Sequence, residues 1–316
     1  MAKGKSKEYI IQTKNMTKAY GHLLALDSID LRIPFGAVGL LGPNGAGKST
    51  LIKCLLGLVR ITSGSGTVLG YDVRGMDAGL MIRQKIGYMP ESDCLIPDLD
   101  AVELVKYMGE MSGLDPMTSM QRSHEVLDYI GVMEERYRKI KTYSTGMKQK
   151  IKLAQAIVHD PVLLFLDEPT NGMDPKGREE MLDLIKDISS HHEKNVIFSS
   201  HLLPDVEYIC HYAVMIAGGR LIIQGDIDEL TKSANMLEIR IKGDENKFKS
   251  ILTKNGFDFI QRGSIFIVSG DRRTLSKIYK VLKGTNIQLR HAIPAKRSLE
   301  DIFVSNIKEL GVVGSR

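Results

Sequence analysis

Apolar positions in the first two thirds of the chain alternate between short continuous runs and longer helical stripes. The short runs are typical of strands that are covered on both faces of a sheet. They lie at residues 38–41, 162–166 and 195–200. The helical stripes place apolar side chains on one face of a helix. They lie at residues 49–58, 121–131, 147–159 and 178–190. This alternation predicts an α/β fold.

The remaining patterns of this region predict further strands. Residues 10–17 and 23–33 contain strand-like runs near the start of the chain. Gly218-Gly219, between strand patterns at 212–217 and 220–224, is typical of a two-residue hairpin. The most regular helical stripe, at 178–190, has four apolar side chains on one predicted face. They are Met181, Leu184, Ile185 and Ile188.

The pattern changes after about residue 235, where strands and helices follow in the order βαββαβ. This order is compatible with a ferredoxin-like split unit. The predicted elements lie at 237–241, 245–255, 259–261, 265–269, 272–283 and 287–291. A last helix is predicted near 298–308, and the polar residues 1–8 are predicted to be a frayed tail. We therefore expect a first domain at 9–231 and a small α+β accessory domain at 236–316.

Length and composition agree with a soluble two-domain protein. At roughly 150 residues per domain, 316 residues correspond to two domains, and 43% apolar residues exclude a disordered chain. The longest uncharged run, 33–47, has 15 residues, whereas a membrane-spanning helix needs about 20 apolar ones. Residues 1–8 have no apolar core behind them, so they do not resemble a signal peptide. The three cysteines are too few and too scattered for a disulfide framework or a metal site. We expect a cytoplasmic protein.

Charge is distributed unevenly between the two predicted domains. The whole chain carries 43 Lys and Arg against 38 Asp and Glu, a net charge of +5. Residues 232–316 hold 17 basic and 8 acidic side chains, a net +9, so residues 1–231 carry −4. Such asymmetry is typical of a surface that meets nucleic acid or anionic lipid, and it also occurs in small solvated domains rich in lysine.

A glycine-rich segment between a predicted buried strand and a predicted helix fits the phosphate-loop pattern at every position. Its residues are Gly42, Pro43, Asn44, Gly45, Ala46, Gly47, Lys48, Ser49 and Thr50. Glycines let backbone N–H groups turn inward toward an anion at a helix N-terminus. Lys48 is then expected to reach the β- and γ-phosphates of a nucleotide, and Ser49 to bind Mg²⁺. The motif alone does not distinguish kinases, GTPases and ATPases.

Two adjacent carboxylates end the predicted strand at 162–166. Asp167 at that position is suited to hold Mg²⁺ through water, and Glu168 to activate water for in-line attack on a γ-phosphate. A kinase that transfers phosphate to a substrate hydroxyl does not need the second carboxylate. The pair therefore favours nucleotide hydrolysis.

Residues 9–231 resemble an ATP-binding cassette (ABC) ATPase, because further motifs follow in that family's order. Residues 143–147, Tyr-Ser-Thr-Gly-Met, resemble the signature loop Leu-Ser-Gly-Gly-Gln. The resemblance implies that Ser144 and Gly146 face a γ-phosphate. It also implies a phosphate-loop NTPase core with an antiparallel β subdomain and a helical subdomain at about 95–160.

Three other segments match positions of the same family. Residues 171–174, Asn-Gly-Met-Asp, resemble the D-loop, and Asp174 before Pro175 is also a good helix N-cap. His201 matches the switch histidine that contacts the γ-phosphate, and Tyr20 matches the aromatic residue that stacks on adenine. The resemblance thus implies catalytic roles for Lys48, Glu168 and His201, with ATP and Mg²⁺ as ligands.

The chain departs from the family pattern in two places. Glu91 follows Gly-Tyr-Met-Pro, where the family usually has a glutamine that touches Mg²⁺ and the transport partner. Glutamate can still ligate Mg²⁺, but it adds a charge. In the signature loop, Thr145 replaces a glycine and Met147 a glutamine. Slower hydrolysis is compatible with these changes, and nothing in them predicts an inactive site.

Cassettes of this family function in pairs with ATP bound between them, so the resemblance implies a dimer with a second copy or a paralogue. It also implies separate integral membrane permeases, docked after Glu91, as in exporters of drugs, lipids, ions or polysaccharides. The protein would then lie on the cytoplasmic face of the membrane, with its basic C-terminal domain near anionic lipid and without nucleic acid. Two alternatives are a soluble cassette ATPase acting on ribosomes or DNA and a non-hydrolysing nucleotide-gated module.

Overall fold

The computed structural model describes residues 9–192, 194–296 and 298–303. The chain forms two compact units that divide between Asp226 and Ile227. The first domain had been expected to extend to residue 231, but the helix Ile227–Thr231 belongs to the second unit, where it contacts the strand that follows it. The predicted tail at 1–8 lies outside the described residues, and of the last predicted helix only its beginning, at 299–303, falls within them.

The first unit contains eleven strands and seven helices among its described residues. In chain order they are β1 (Ile11–Tyr20), β2 (Leu23–Ile29), β3 (Arg32–Ile33), β4 (Ala37–Leu41), α1 (Lys48–Leu55), β5 (Ser63–Val68), β6 (Tyr71–Asp72), α2 (Met76–Arg83), β7 (Ile86–Met89), α3 (Ala101–Met111), α4 (Pro116–Tyr129), α5 (Thr145–Ile157), β8 (Leu163–Asp167), α6 (Pro175–Ser190), β9 (Asn195–Ser200), α7 (Leu203–Ile209), β10 (Tyr212–Ala217) and β11 (Arg220–Asp226).

A six-stranded sheet forms the centre of the first unit. Its order is β11-β10-β4-β9-β8-β7, and every pair is parallel except β10 with β11. All residues of β4, β8 and β9 are buried, so the continuous runs predicted strands covered on both faces. The run at 162–166 differs by one residue, since Val162 is 46% exposed and β8 begins at Leu163. Since parallel strands share one direction, the segments that follow β4, β9 and β8 leave the sheet at the same edge.

A second, antiparallel sheet lies in the same unit, in the order β2-β1-β5-β6, with β3 also paired to β1. Apolar side chains of this sheet, such as Ile11, Met16 and Leu26, share one buried cluster with Leu51 and Ile52 of α1. This packing holds the β1–β2 hairpin beside the beginning of α1. The α/β fold with an additional antiparallel sheet is confirmed.

Three helices, α3, α4 and α5, occupy the segment expected to be helical. Asp100 and Glu103 form a reciprocal capping box at the start of α3. Asp115 caps α4, with Pro116 in its first turn. Helices α3 and α4 pack on each other, and both contact α5. Polar capping residues thus set the boundaries that apolar periodicity alone does not give.

One detail of the apolar pattern was wrong in helix α6. Leu184 had been placed on the buried stripe, but it is only partly buried, and Leu182 takes its place beside Met181. The helix starts at Pro175, three residues before the predicted start, because Asp174 accepts a hydrogen bond from the Gly177 N–H and caps it. This earlier start adds a turn, which lies next to the D-loop segment.

The second unit consists of α8 (Ile227–Thr231), β12 (Lys232–Lys242), α9 (Glu245–Lys254), β13 (Phe259–Arg262), β14 (Ile265–Ser269), α10 (Arg272–Leu282) and β15 (Gln288–Lys296). Its antiparallel sheet has the order β13-β14-β12-β15. Phe248 of α9 meets Phe266 of β14 edge to face, with ring centroids 4.8 Å apart, in a core that includes Ile278 of α10. The predicted βαββαβ order is present from β12 onward, and its ferredoxin-like interpretation stays a prediction.

Candidate functional site

Three adjacent strands of the central sheet bring the predicted catalytic groups to one edge. Strand β4 leads into the phosphate loop, residues 42–50. Strand β8 ends at Asp167, with Glu168 directly after it, and β9 leads into His201. Because β9 pairs with both β4 and β8, these groups lie side by side at the carboxyl end of the sheet. Ligands of open α/β sheets bind at this edge.

The phosphate loop has the backbone conformation that its glycines permit. Gly42, Gly45 and Gly47 have φ angles of 159°, 78° and 107°. A Cβ atom at Gly47 would lie 2.8 Å from the carbonyl oxygen of Ala25, and one at Gly42 would lie 2.2 Å from that of Ile216. The first N–H groups of α1 have no partner within the helix and point toward the loop. The segment can therefore cradle an anion at the start of α1.

Lys48 is a buried lysine at the start of α1. Its ammonium donates a hydrogen bond to the carbonyl oxygen of Gly42 at 2.7 Å and lies 3.3 Å from Oε1 of Glu168. Its side chain is only 7% exposed. The positive charge is thus held between the loop and the acidic strand end, where the phosphates of a bound nucleotide would need it.

Asp167 is the last residue of β8 and is 1% exposed. Its Oδ1 atom is buried and accepts no hydrogen bond from the part of the chain that the structure describes. A buried carboxylate oxygen without a donor suits a hard cation, and Mg²⁺ typically uses one or two carboxylates together with substrate phosphates and water. The described residues contain no group of three or more His, Cys, Asp or Glu that could hold a metal alone. Asp167 therefore fits a Mg²⁺ site that a bound nucleotide would complete, and the role of Ser49 stays a prediction.

Glu168 lies between a lysine and a histidine. Its Oε2 atom accepts a hydrogen bond from Nδ1 of His201 at 2.8 Å, while Oε1 faces Lys48. Its φ angle is 50°, a conformation that is uncommon for a residue other than glycine. The Glu168 N–H donates to the Ser199 carbonyl oxygen at 3.1 Å, which fixes the strained turn to β9. Glu168 is thus 95% buried, with Oε1 beside the Lys48 ammonium and Oε2 hydrogen-bonded to His201.

The signature loop lies next to the D-loop segment of the same chain. Ser144 is the N-cap of α5 and accepts a hydrogen bond from the Met147 N–H at 3.2 Å. A Cβ atom at Gly172 would lie 3.3 Å from the Thr145 methyl group, and one at Gly146 would lie 3.5 Å from Met173. A Cβ at residue 146 would thus make only ordinary van der Waals contact within this chain, and the role of Gly146 toward a γ-phosphate stays a prediction.

Tyr20 and Asp174 also lie at exposed positions of the first unit. Tyr20 ends β1 and is 46% exposed, with the Lys18 ammonium 4.6 Å from its ring centroid. The ring can receive a flat aromatic base on its free face. Asp174 is exposed and caps α6, as the helix-start interpretation predicted. Its role toward a second cassette stays a prediction.

Glu91 is exposed, and its carboxylate and that of Asp167 both act on the charge of Lys152. Its carbonyl oxygen accepts a hydrogen bond from the ammonium of Lys152 at 3.0 Å. Lys152 is 4% exposed on α5, and burial lowers its pKa. Burial, together with the nearby Asp167 charge, raises the pKa of Tyr88 to about 12. Sequence reasoning missed Lys152, which ties the signature helix to the segment of Glu91.

A second missed group joins three segments of the site. Asp205 of α7 is 2% exposed and forms a two-pronged ion pair with Arg178 of α6, with Nε 3.0 Å from Oδ1. Its Oδ2 atom also accepts a hydrogen bond from Thr170 at 3.3 Å. This carboxylate therefore links the turn after Glu168, the helix after the D-loop and the helix after His201.

Replacing Asp205 with Ala is expected to lower the melting temperature of the protein by about 4–8 °C. The change leaves the guanidinium of Arg178 and the hydroxyl of Thr170 without their acceptor, a loss of about 2 kcal/mol because Arg178 is partly exposed. Differential scanning calorimetry measures the shift. In the control, Glu110→Ala breaks the partly exposed Lys106–Glu110 pair of α3 and should shift the transition by less than about 1 °C. Equal shifts would show that Asp205 has no special structural role.

Comparison with known proteins agrees with this geometry. Residues 26–171 match the family model described as ABC transporter. The chain is 40% identical over 222 residues to the linearmycin resistance ATP-binding protein LnrL of Bacillus subtilis, covering 70% of each chain. It is 30% identical over 304 residues to the daunorubicin/doxorubicin resistance ATP-binding protein DrrA of Streptomyces peucetius, covering 93% of this chain and 91% of DrrA.

A solved structure has the same fold in the cassette region. It is the dimer of the ATP-binding cassette MJ0796 bound to ADP and phosphate, with a TM-score of 0.63 and 24% identity. The match covers 68% of this chain and 98% of that one. The resemblance drawn from the motifs is thus confirmed by relatives that extend over both units. The chain belongs to the ABC transporter ATP-binding proteins and is an ATPase subunit of that family.

Proposed function

We propose that this ATPase subunit pairs with a second cassette across bound ATP and drives export through separate permease subunits in the membrane. The observation that carries the pairing is the separation of two half-sites. Lys48, Asp167, Glu168 and His201 meet at the edge of the central sheet. Thr145 and Gly146 lie next to the D-loop segment, and no described contact joins Ser144 or Gly146 to the phosphate loop. A second cassette, another copy or a paralogue, supplies the missing half.

In the proposed reaction, water attacks the γ-phosphorus of ATP in line with the leaving ADP. Glu168 accepts a proton from this water, and its hydrogen bond with His201 keeps the carboxylate in place. Lys48 and the first N–H groups of α1 neutralise charge on the phosphates. The products are ADP and phosphate, whose separation removes the bridge between the two cassettes.

Mg²⁺ would be held by Asp167 and Ser49 together with oxygens of the nucleotide, and it supplies charge stabilisation at the β- and γ-phosphates. The buried, donor-free Oδ1 atom of Asp167 supports this assignment. Glu91 is proposed as an additional ligand. For this role its exposed side chain would have to turn inward, while its carbonyl oxygen keeps the hydrogen bond from the Lys152 ammonium.

ATP can close the dimer only if it binds the closed pair more tightly than the open one. A γ-phosphate that contacts Lys48 of one subunit and the α5 N-terminus of the other provides this difference, because ADP lacks it. The partner is a second copy or a paralogue. Tyr20 is proposed to stack on the adenine base, and Asp174 to face the other cassette.

Export and membrane attachment rest on relatives and on one surface. LnrL and DrrA are named as resistance proteins for linearmycin and for daunorubicin and doxorubicin. No described helix of this chain is long and apolar enough to cross a bilayer. A groove of about 330 Å³ lies beside the segment after Glu91, with Tyr88, Pro90 and Cys94 among its lining residues. We propose it as the place where a permease docks on the cytoplasmic face of the membrane.

The proposal is tested by affinity purification of the tagged chain from detergent-solubilised membranes of its own organism. We expect an integral membrane protein in fixed ratio with the chain, and the pair in lipid vesicles should move substrate only with hydrolysable ATP. Recovery of ribosomes or nucleic acid instead, with ATP turnover stimulated by them, would favour the alternative of a soluble cassette ATPase.

A further inference from the structure

Helix α10 of the second unit presents an exposed face that is strongly basic. The helix Arg272–Leu282 contains four basic residues and no acidic one. Ile278 and Leu282 are buried in the core of the unit. Successive residues of a helix are rotated by about 100°, so the remaining side chains fall on one continuous outer arc. The exposed members of this arc are Arg273, Ser276, Lys277, Tyr279, Lys280 and Lys283.

The lysines of this arc are not neutralised by neighbours. Lys277, Lys280 and Lys283 form no ion pair with any residue in the described ranges of the chain. By contrast, helix α9 carries Glu245 in its first turn beside its own lysines. Asp271 at the N-cap of α10 lies near Arg273, so the charge without a carboxylate partner among the described residues is that of the three lysines.

An aromatic ring and an open groove accompany these charges. Tyr279 is 67% exposed and lies on the same outer arc of the helix as Lys280. A groove of about 380 Å³ runs along the helix and is lined by Leu275, Ser276, Tyr279, Lys280 and Lys283. Lysine stems and a tyrosine ring combine apolar bodies with polar ends, which is the composition that suits the headgroup layer of a bilayer.

We propose that the outer face of α10 binds the surface of a lipid bilayer through anionic headgroups. The charge of the face complements that of an anionic leaflet, and its tyrosine and lysine stems suit the interface between headgroups and acyl chains. Single-stranded nucleic acid, the other anionic partner, is bound by series of aromatic side chains that stack on bases. Helix α10 offers one aromatic residue, so the observations favour lipid. The proposal rests on the proposed membrane location of the chain.

The test uses the full-length chain without any permease. It is floated with vesicles of phosphatidylcholine alone, and with vesicles that also contain about 30% phosphatidylglycerol. The variant Lys277→Ala/Lys280→Ala removes two charges from the face. The control Lys247→Ala/Lys254→Ala removes the same charge from exposed positions of α9. ATP turnover in solution is measured for each protein, and it should be unchanged because none of these residues belongs to the nucleotide site.

We expect the unmodified chain to float with the anionic vesicles only, and raising the salt to about 0.5 M should release it. The α10 variant should bind these vesicles about 30-fold more weakly, whereas the α9 control should change less than about threefold. Equal losses in both variants would overturn the proposal, since net charge rather than this face would then decide binding. Binding of single-stranded RNA that is lost in the α10 variant, without vesicle binding, would overturn it in favour of nucleic acid.

These outcomes are independent of the ATP cycle. A chain that does not float but retains nucleotide-dependent pairing refutes only the α10 surface. A chain that floats but never pairs on ATP refutes only the proposed cassette mechanism.

Discussion

Replacing Glu168 with Gln is expected to reduce ATP turnover by at least about 100-fold while ATP still binds. The amide keeps the size of the side chain but cannot accept a proton from the attacking water, and general-base catalysis contributes about 10² to 10⁴ to a rate. Phosphate release measures turnover, and displacement of a fluorescent nucleotide measures affinity. Affinity should be retained because Lys48 and the α1 N-terminus are left intact.

The control for this variant is Glu180→Gln on α6. Glu180 is an exposed glutamate that pairs with Lys150, away from the strand end that holds Glu168. The same chemical change there should leave turnover within about twofold of the original, as expected for a surface pair. If Glu168→Gln hydrolysed ATP at the original rate, Glu168 would not be the base and another group would have to activate water.

Replacing Lys48 with Ala is expected to weaken ATP binding by roughly 10- to 100-fold. The ammonium is the one charged side chain of the phosphate loop, and a charge-assisted hydrogen bond contributes about 1.5–3 kcal/mol. Isothermal titration with ATP and Mg²⁺ measures the dissociation constant. Turnover should fall further than affinity, because the same charge also stabilises the transition state.

The matched control is Lys53→Ala, on the same helix but exposed in its last turn. It removes an equal charge five residues further along α1, so nucleotide affinity should stay within about twofold. A circular dichroism spectrum that matches that of the original chain would show that Lys48→Ala folds normally. Unchanged ATP affinity in folded Lys48→Ala would contradict the assignment of the phosphate loop.

Local patterns were sufficient for the scaffold of the nucleotide site. The runs at 38–41 and 162–166 predicted strands because a strand covered on both faces has no polar side to interrupt it. The glycines of the phosphate loop were predictable for a related reason, since their φ angles exclude most side chains. In these places the chemistry of a few neighbouring residues determines the conformation.

Contacts between distant segments were not predictable in this way. Helix α5 has lysines at 148, 150 and 152, and only Lys152 is buried, because the Glu91 carbonyl oxygen lies where its side chain ends. Asp205 is four residues after His201, in a position typical of an exposed helix start. Its burial depends on Arg178 and Thr170, and their proximity is set by the order of the strands.

The division between the two compact units also depends on packing. Residues 227–236 are mostly polar and contain no proline or glycine, so the sequence predicts a boundary only where the pattern of strands and helices changes, near 231–236. Helix α8 contacts β12, which places it in the second unit. The contact between α8 and β12 thus determines where the units divide, and the sequence of either element alone does not reveal this contact.

The pairing of cassettes is tested most directly by the mass of the Glu168→Gln chain in solution. Light scattering after size exclusion, with saturating ATP and Mg²⁺, should give twice the mass of one 35.1 kDa chain. With ADP in place of ATP the mass should be that of a single chain. A Glu168→Gln protein that binds ATP, shows normal folding and still has the mass of one chain, even with its membrane partner and paralogous cassettes present, would contradict the account.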